Sequence, residues 1–214
     1  MAGKRKARLA AFNRTGILET ANELFLQNGV AGTTMDEIAR TAGYSKTTIY
    51  AYFKSKEDIF NHLILAGMEL FRDQVRLVAE KESSFKDFYF DFCKQLTAMH
   101  DSNQVYFEGM TGNILCSETD TKNDAVLNKI YLIGEETSKI IEIRMLQGIS
   151  AKEIEIDVPR KEMMMAFWFF LIGVIEKASN KKDYIKRNLG KTRDEFLQSS
   201  FQTLLQLLTK RKER

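Results

Sequence analysis

Between Ser45 and Tyr50 the chain sets out Lys46, Thr47, Thr48, Ile49 and Tyr50. A lysine neutralises phosphate or donates to guanine. A threonine offers a hydroxyl to phosphate and a methyl to thymine, and a tyrosine donates to phosphate. Ile49 alone is aliphatic, so a helix here would turn Ile49 inward and present the other four side chains. That surface suits the major groove of duplex DNA; the plainer reading is the solvated face of an ordinary helical hairpin. Lys56 is a second candidate. It falls in the first turn of a helix that Ser55 and Asp58 can cap, where free backbone N–H groups already favour an anion.

The chemistries of catalysis are not legible. His62 and His100 are the only histidines, and neither has metal-ligand spacing. No GxGxxG, Walker loop or GxSxG elbow occurs. Cys93 and Cys116 are too few for a disulfide scaffold and form no CxxC pair. We therefore expect no enzyme, no metal and no cofactor.

The elements that would position the cluster can be read from caps and spacing. Thr34 and Glu37 fit a capping box that opens a short helix with Met35, Ile38 and Ala39 on one face. Gly43 stands where a left-handed residue can end that helix, and Ser45 can cap the next. Two helices joined by a short Gly-containing turn make the helix-turn-helix pattern. Upstream, Ile17, Leu18, Ala21, Leu24 and Phe25 stripe a helix predicted from about Phe12 to Gln27, which Asn28-Gly29 ends.

The order of these residues carries a resemblance. Ile17-Leu18-Glu19-Thr20-Ala21-Asn22-Glu23-Leu24-Phe25 leads to Thr33-Thr34-Met35-Asp36-Glu37-Ile38-Ala39. Then follow Ala42-Gly43-Tyr44-Ser45-Lys46, Ile49-Tyr50-Ala51-Tyr52-Phe53 and Lys54-Ser55-Lys56-Glu57-Asp58-Ile59. This string resembles the N-terminal domain of the TetR family of transcriptional repressors. It departs from the family at Thr47, where Gly is frequent, and at Tyr44, where an aliphatic residue is usual. The resemblance implies DNA contacts from Thr33, Thr34, Tyr44, Ser45, Lys46, Thr47, Thr48, Tyr50 and Lys56, with Lys56 as a phosphate clamp. Base reading falls to Lys46, Thr47 and Thr48.

The charge agrees with that placement. Residues 1–60 hold nine Lys or Arg against six Asp or Glu, while residues 61–214 hold 23 of each. Lys4, Arg5, Lys6, Arg8 and Arg14 precede the first acid, Glu19. A basic arm beside a helix-turn-helix can reach phosphates or a minor groove; a solvated, disordered tail is the alternative. The N-terminus lacks the apolar core of a signal peptide. The longest nearly continuous apolar run, Met163–Ile175, falls short of the ~20 residues that span a bilayer. A reducing cytoplasm and no membrane role are expected.

Beyond Ser84 the sequence offers periodicity without motif. The fold class predicted is all-α, with about nine helices by spacing: a helix-turn-helix DNA-binding domain over 1–54 and a helical ligand-binding and dimerisation domain over 55–214. Residues 151–158 alternate apolar and charged side chains but have no second strand to pair with, so an ordered loop is expected. Pro159 is placed to open a helix. Met163–Ile175 is apolar on nearly every face and must be covered all round. The resembled family dimerises through its last two helices, which implies a homodimer interface of Phe167, Leu171, Phe201, Leu204 and Leu208; the alternative is that both helices serve the core of the single chain. Phe71, Phe88, Phe92, Phe107, Met110, Tyr131 and Phe167 could line one cavity for an apolar or amphipathic effector, with Tyr131 or Asn113 as polar anchors; the plainer reading is that all seven fill a core. The resulting expectation is a repressor that leaves a double-stranded DNA operator when a small molecule binds. The alternatives are a helical ligand-binding or enzymatic bundle and a protein–protein adaptor, neither binding DNA.

Overall fold

The computed structural model describes residues 2–111, 124–156 and 158–209. Among them are ten helices and no strand. They are α1 (Ala2–Gly32), α2 (Met35–Thr41), α3 (Lys46–Tyr52), α4 (Lys56–Ala79) and α5 (Phe85–Ser102), then α6 (Gln104–Thr111), α7 (Ala125–Ser150), α8 (Arg160–Asn180), α9 (Lys182–Leu189) and α10 (Arg193–Thr209). The chain forms two compact units: residues 1–69 with 103–131, and residues 70–102 with 132–214.

The first unit holds the predicted helix-turn-helix. Its core is Ile17, Ala21, Leu24 and Phe25 of α1, Ile38 and Ala39 of α2, Ile49 of α3, Phe53, and Ile59 and Leu63 of α4. Val105 of α6 joins this core, and the edge of Phe25 meets Phe60 with ring centroids 6.0 Å apart. α6 lies unusually close to α4. A Cβ added to Gly109 would stand 2.3 Å from Cγ1 of Ile64, and one added to Gly67 would stand 2.7 Å from Cγ of Tyr106. Glycine at both positions lets the two helices approach within the width of a side chain.

Two details of α1 differ from expectation. The helix begins at Ala2 rather than near Phe12, because nothing before Asn13 breaks it once Ile17 to Phe25 is packed. The predicted stop at Asn28-Gly29 appears as a break within the element: Gly29 has φ 70° and ψ 162°, and one further turn follows.

In the second unit, α5 contributes Phe85, Phe88, Tyr89, Phe92, Cys93 and Leu96 to the core. α8 contributes Met163, Phe167, Leu171, Ile175 and Ala178, and α10 contributes Leu197, Phe201 and Leu205. The Tyr89 hydroxyl donates to the Phe201 carbonyl at 2.8 Å, joining α5 to α10. Arg193 forms a two-pronged pair with Asp101, at 2.6 and 2.7 Å, across the same two helices. Residues 151–156 form a loop as expected. Its Ile154 is buried, and the Glu155 N–H donates to the Leu208 carbonyl at 2.9 Å. Pro159 precedes the first turn of α8. Helix α9 leaves no periodic apolar stripe in the sequence: among its eight residues only Ile185 is buried, and Gly190 ends it with φ 66°.

Candidate nucleic-acid interface

Each end of the recognition segment is fixed by local hydrogen bonds. At the start of α2 the Thr34 hydroxyl accepts from the Glu37 N–H at 3.2 Å, and the Glu37 carboxylate accepts from the Thr34 N–H at 3.4 Å. At its end Gly43, with φ 72°, completes a left-handed cap. The Tyr44 N–H donates to the Ala39 carbonyl at 2.9 Å and the Gly43 N–H to the Arg40 carbonyl at 3.3 Å. Ser45 then opens α3, its hydroxyl accepting from the Thr48 N–H at 3.1 Å and bonding the Thr48 hydroxyl at 2.8 Å. Ile49 is fully buried and anchors the helix; Lys46, Thr47 and Tyr50 are exposed and Thr48 is half-buried.

Lys46 carries an ion pair to Asp36 of α2, 2.6 Å long and exposed on both sides. Asp36 holds the Lys46 ammonium above its usual range through that hydrogen bond. Exposed pairs of this kind contribute little, so Asp36 steers the lysine without locking it. Tyr44 is turned partly inward. Its hydroxyl donates to Asn13 Oδ1 at 3.1 Å, while Asn13 Nδ2 donates to the Tyr52 hydroxyl at 3.2 Å.

Two expected contacts sit differently. Thr33 is fully buried, and its hydroxyl donates to the Gly29 carbonyl at 2.9 Å and the Leu24 carbonyl at 3.4 Å. It closes the end of α1, where carbonyls lack helical partners, and its side chain is withdrawn from any groove. Lys56 is half-buried, and its ammonium donates to the Thr33 carbonyl at 2.9 Å and the Ala31 carbonyl at 3.1 Å. Two of its three N–H donors therefore hold the α1–α2 connection, leaving one. These partners are backbone carbonyls more than twenty positions upstream, which no residue type marks.

Beyond the C-terminal end of α3 lies a cleft of about 320 Å³, lined by Tyr50, Tyr52, Phe53, Lys54, Asp58, His62 and Asp124, among others. Asp58 accepts from the Lys54 N–H at 2.8 Å and stands 3.7 Å from His62. Burial, helped by Arg14, pushes the His62 imidazole below its usual range, against the pull of Asp58 and Asp124. Burial likewise raises the Cys93 thiol to about 12, in keeping with its place in the core of the second unit. Among the described residues no group of His, Cys, Asp or Glu is arranged to hold a metal ion. No described helix is long and apolar enough to cross a membrane.

The matching family model is that of bacterial regulatory proteins, tetR family, over residues 17–63. Residues 17–63 are thus similar to the helix-turn-helix domain of that family. The uncharacterized HTH-type transcriptional regulator YhgD of Bacillus subtilis (strain 168) is 47% identical over 47 residues, 22% of this chain and 25% of that protein. The HTH-type transcriptional regulator AcrR of Shigella flexneri is 44% identical over 50 residues, 23% of each chain. The match thus spans about a quarter of these relatives' own length. The solved structure of the transcriptional regulator FadR from Bacillus subtilis in complex with stearoyl-CoA has a TM-score of 0.65 at 19% identity, covering 89% of this chain and 97% of that one. At that identity the likeness establishes the TetR fold alone.

The residues expected at an effector site fall into both units. In the second, Phe92 stands at ring-centroid distances of 6.0 Å from Phe71, 6.1 Å from Phe88 and 5.9 Å from Phe167. These rings are buried and occupy one another's space. In the first, Phe107 is buried and Met110 half-buried, whereas Tyr131 is 48% exposed on α7 and does not line a core. Asn113 lies outside the described residues. The residues expected at a dimer interface also divide. Phe167, Leu171 and Phe201 are buried within their own unit, so they are core residues in the single chain. Leu204 and Leu208 are half-buried. The exposed apolar side chains of these helices are Met165, Phe169 and Phe170 on α8 and Leu207 on α10.

Proposed function

We propose that this protein is a DNA-binding transcriptional regulator of the TetR type, acting as a homodimeric repressor. The observation that carries the reading is the exposed set Lys46, Thr47 and Tyr50 on a helix that spends Ile49 on the core and is capped at Ser45. In this reading Lys46, Thr47 and Thr48 read bases, Tyr50 and the Thr34 cap meet phosphates, and Lys56 adds one phosphate contact with its remaining donor. The DNA-binding part is residues 1–54; the rest of the chain binds effector and partner. Two protomers pair through α8 and α10, using Met165, Phe169, Phe170 and Leu207 with the half-buried Leu204 and Leu208. That contact sets two recognition helices on half-sites ~34–36 Å apart, or a multiple of that spacing.

The effector is an apolar or amphipathic small molecule. The stearoyl-CoA complex of the structurally similar FadR supports that class, as does the supply of Phe and Met in the helical body. The ligand acts by favouring one conformation over another, and a hundredfold loss of DNA affinity requires about 2.7 kcal/mol of coupling. The test is a gel shift with DNA from the region upstream of the protein's own coding sequence. Retarded DNA that resists random-sequence competitor supports the reading; equal competition by any duplex removes the claim of a regulator. A thermal-shift hit that occupies the body yet leaves DNA affinity unchanged removes the effector switch alone.

A further inference from the structure

The first turns of α1 are not used by the fold. From Gly3 to Leu9 every residue is exposed; half-burial begins at Ala10 and full burial at Ile17. These turns carry Lys4, Arg5, Lys6 and Arg8 and no acid. That charge pattern opposes the helix it sits on. The positive end of the helix dipole repels cations in the first turn, and Lys4 and Arg8, four positions apart, repel each other. A polyanion laid against these residues reverses both effects, pairing the cations and placing negative charge at a helix N-terminus.

Asn13 decides which polyanion the segment meets. By bonding the Tyr44 and Tyr52 hydroxyls it ties α1 to the turn before α3 and to the last residue of α3. One residue on, the Arg14 guanidinium lies 5.1 Å from the centroid of Phe53. Helical periodicity puts Lys6 on the same stripe as Ala10 and Asn13, about 10 Å before Asn13 along the axis. Lys6 thus lies on the side of α1 that faces the recognition helix, and Lys4, Arg5 and Arg8 spread around the outer side. Leu9 and Phe12 are exposed as well and adjoin one another on the helix surface, but Arg5 stands one turn before Leu9 on the same face, so the apolar patch ends at these two residues and no long apolar stripe is offered to a lipid surface.

We infer that residues 3–10 form a second, helical phosphate-contacting element that lies along the duplex beside the site held by α3, and that DNA stabilises its helix. The inference rests on the DNA-binding reading above and adds to it a partner surface outside the helix-turn-helix.

The test uses the full chain and a random-sequence duplex several helical turns long. Binding is measured against KCl concentration for the wild type, for Lys6→Ala, and for a variant carrying K4A, R5A, K6A and R8A together. Each lost phosphate contact removes about 0.9 from the slope of log affinity against log salt. The expected losses are about one unit for Lys6→Ala and ~2–4 units for the fourfold variant, with at least a tenfold drop in affinity at low salt. In the wild type, amide exchange at residues 4–10 slows when the duplex is added. An unchanged slope with no gain in protection overturns this inference while leaving the helix-turn-helix reading intact. A wild type that binds no duplex overturns both. Binding to phosphatidylglycerol vesicles that the fourfold variant loses, with the DNA slope unchanged, would assign the segment to lipid and also overturn it.

Discussion

Replacing Lys56 by Met separates two roles that one side chain could hold. The stem is kept and the ammonium removed, so the hydrogen bonds to the Ala31 and Thr33 carbonyls are lost together. Those carbonyls sit between the break at Gly29 and the Thr34 cap, where the chain turns from α1 into α2. A hydrogen bond from a charged donor contributes ~1.5–3 kcal/mol when shielded. Ala31 is exposed and water can replace one partner, so the pair together is worth ~1.5–3 kcal/mol rather than twice that. For a chain of 214 residues this lowers Tm by ~3–12 °C at ~2–4 °C per kcal/mol. The third donor is tested separately: if it reaches phosphate, the salt slope of DNA binding also falls by about 0.9. Calorimetry on the free protein and anisotropy on the complex read the two effects independently. An unchanged Tm would refute the structural clamp, and an unchanged slope would remove Lys56 from the DNA contacts.

Other perturbations follow from packing and charge. Gly109→Ala drives a methyl into Ile64 and should destabilise by ~1–3 kcal/mol in urea titration; Gly16→Ala, with open space around it, should stabilise by ~0.5–1 kcal/mol. Phe169→Glu should leave a folded monomer in sedimentation, because Phe169 is exposed, whereas Phe167→Ala should cost ~3–5 kcal/mol of folding stability. The folded His62 holds its proton less tightly than the unfolded one, chiefly through burial and then through Arg14. The unfolded chain therefore binds more protons, and stability falls as pH drops through the unfolded value of about 6.5. His62→Gln should flatten that fall between neutral and mildly acidic pH, and an identical pH profile would count against it.

What could be read in advance divides along physical lines. The Thr34–Glu37 box, the Gly43 turn and the Ser45 cap are local devices, and the structure has all three. The buried stripe of α1 from Ile17 to Phe25 was readable because its spacing has one period. Residues 2–12 have no such stripe, so their helix could not be seen by spacing. Helix α8 is apolar on every side, which hides the difference between Phe167, turned into its own unit, and Phe169, turned out. Thr33 and Lys56 escaped for another reason: both are fixed by backbone carbonyls, which the identity of a residue does not advertise. Short α9 had too few buried positions to signal itself.

The central claim is that two copies of α3 read duplex DNA through Lys46, Thr47 and Thr48. Selection of bound sequences from a random duplex pool tests it most directly. The expected result is enrichment of one inverted repeat whose half-sites fit one recognition helix each, and a shifted preference when Thr48→Ala is selected from the same pool. A pool that stays unenriched after repeated rounds, or a preference that Lys46→Ala, Thr47→Ala and Thr48→Ala all leave unchanged, would contradict it.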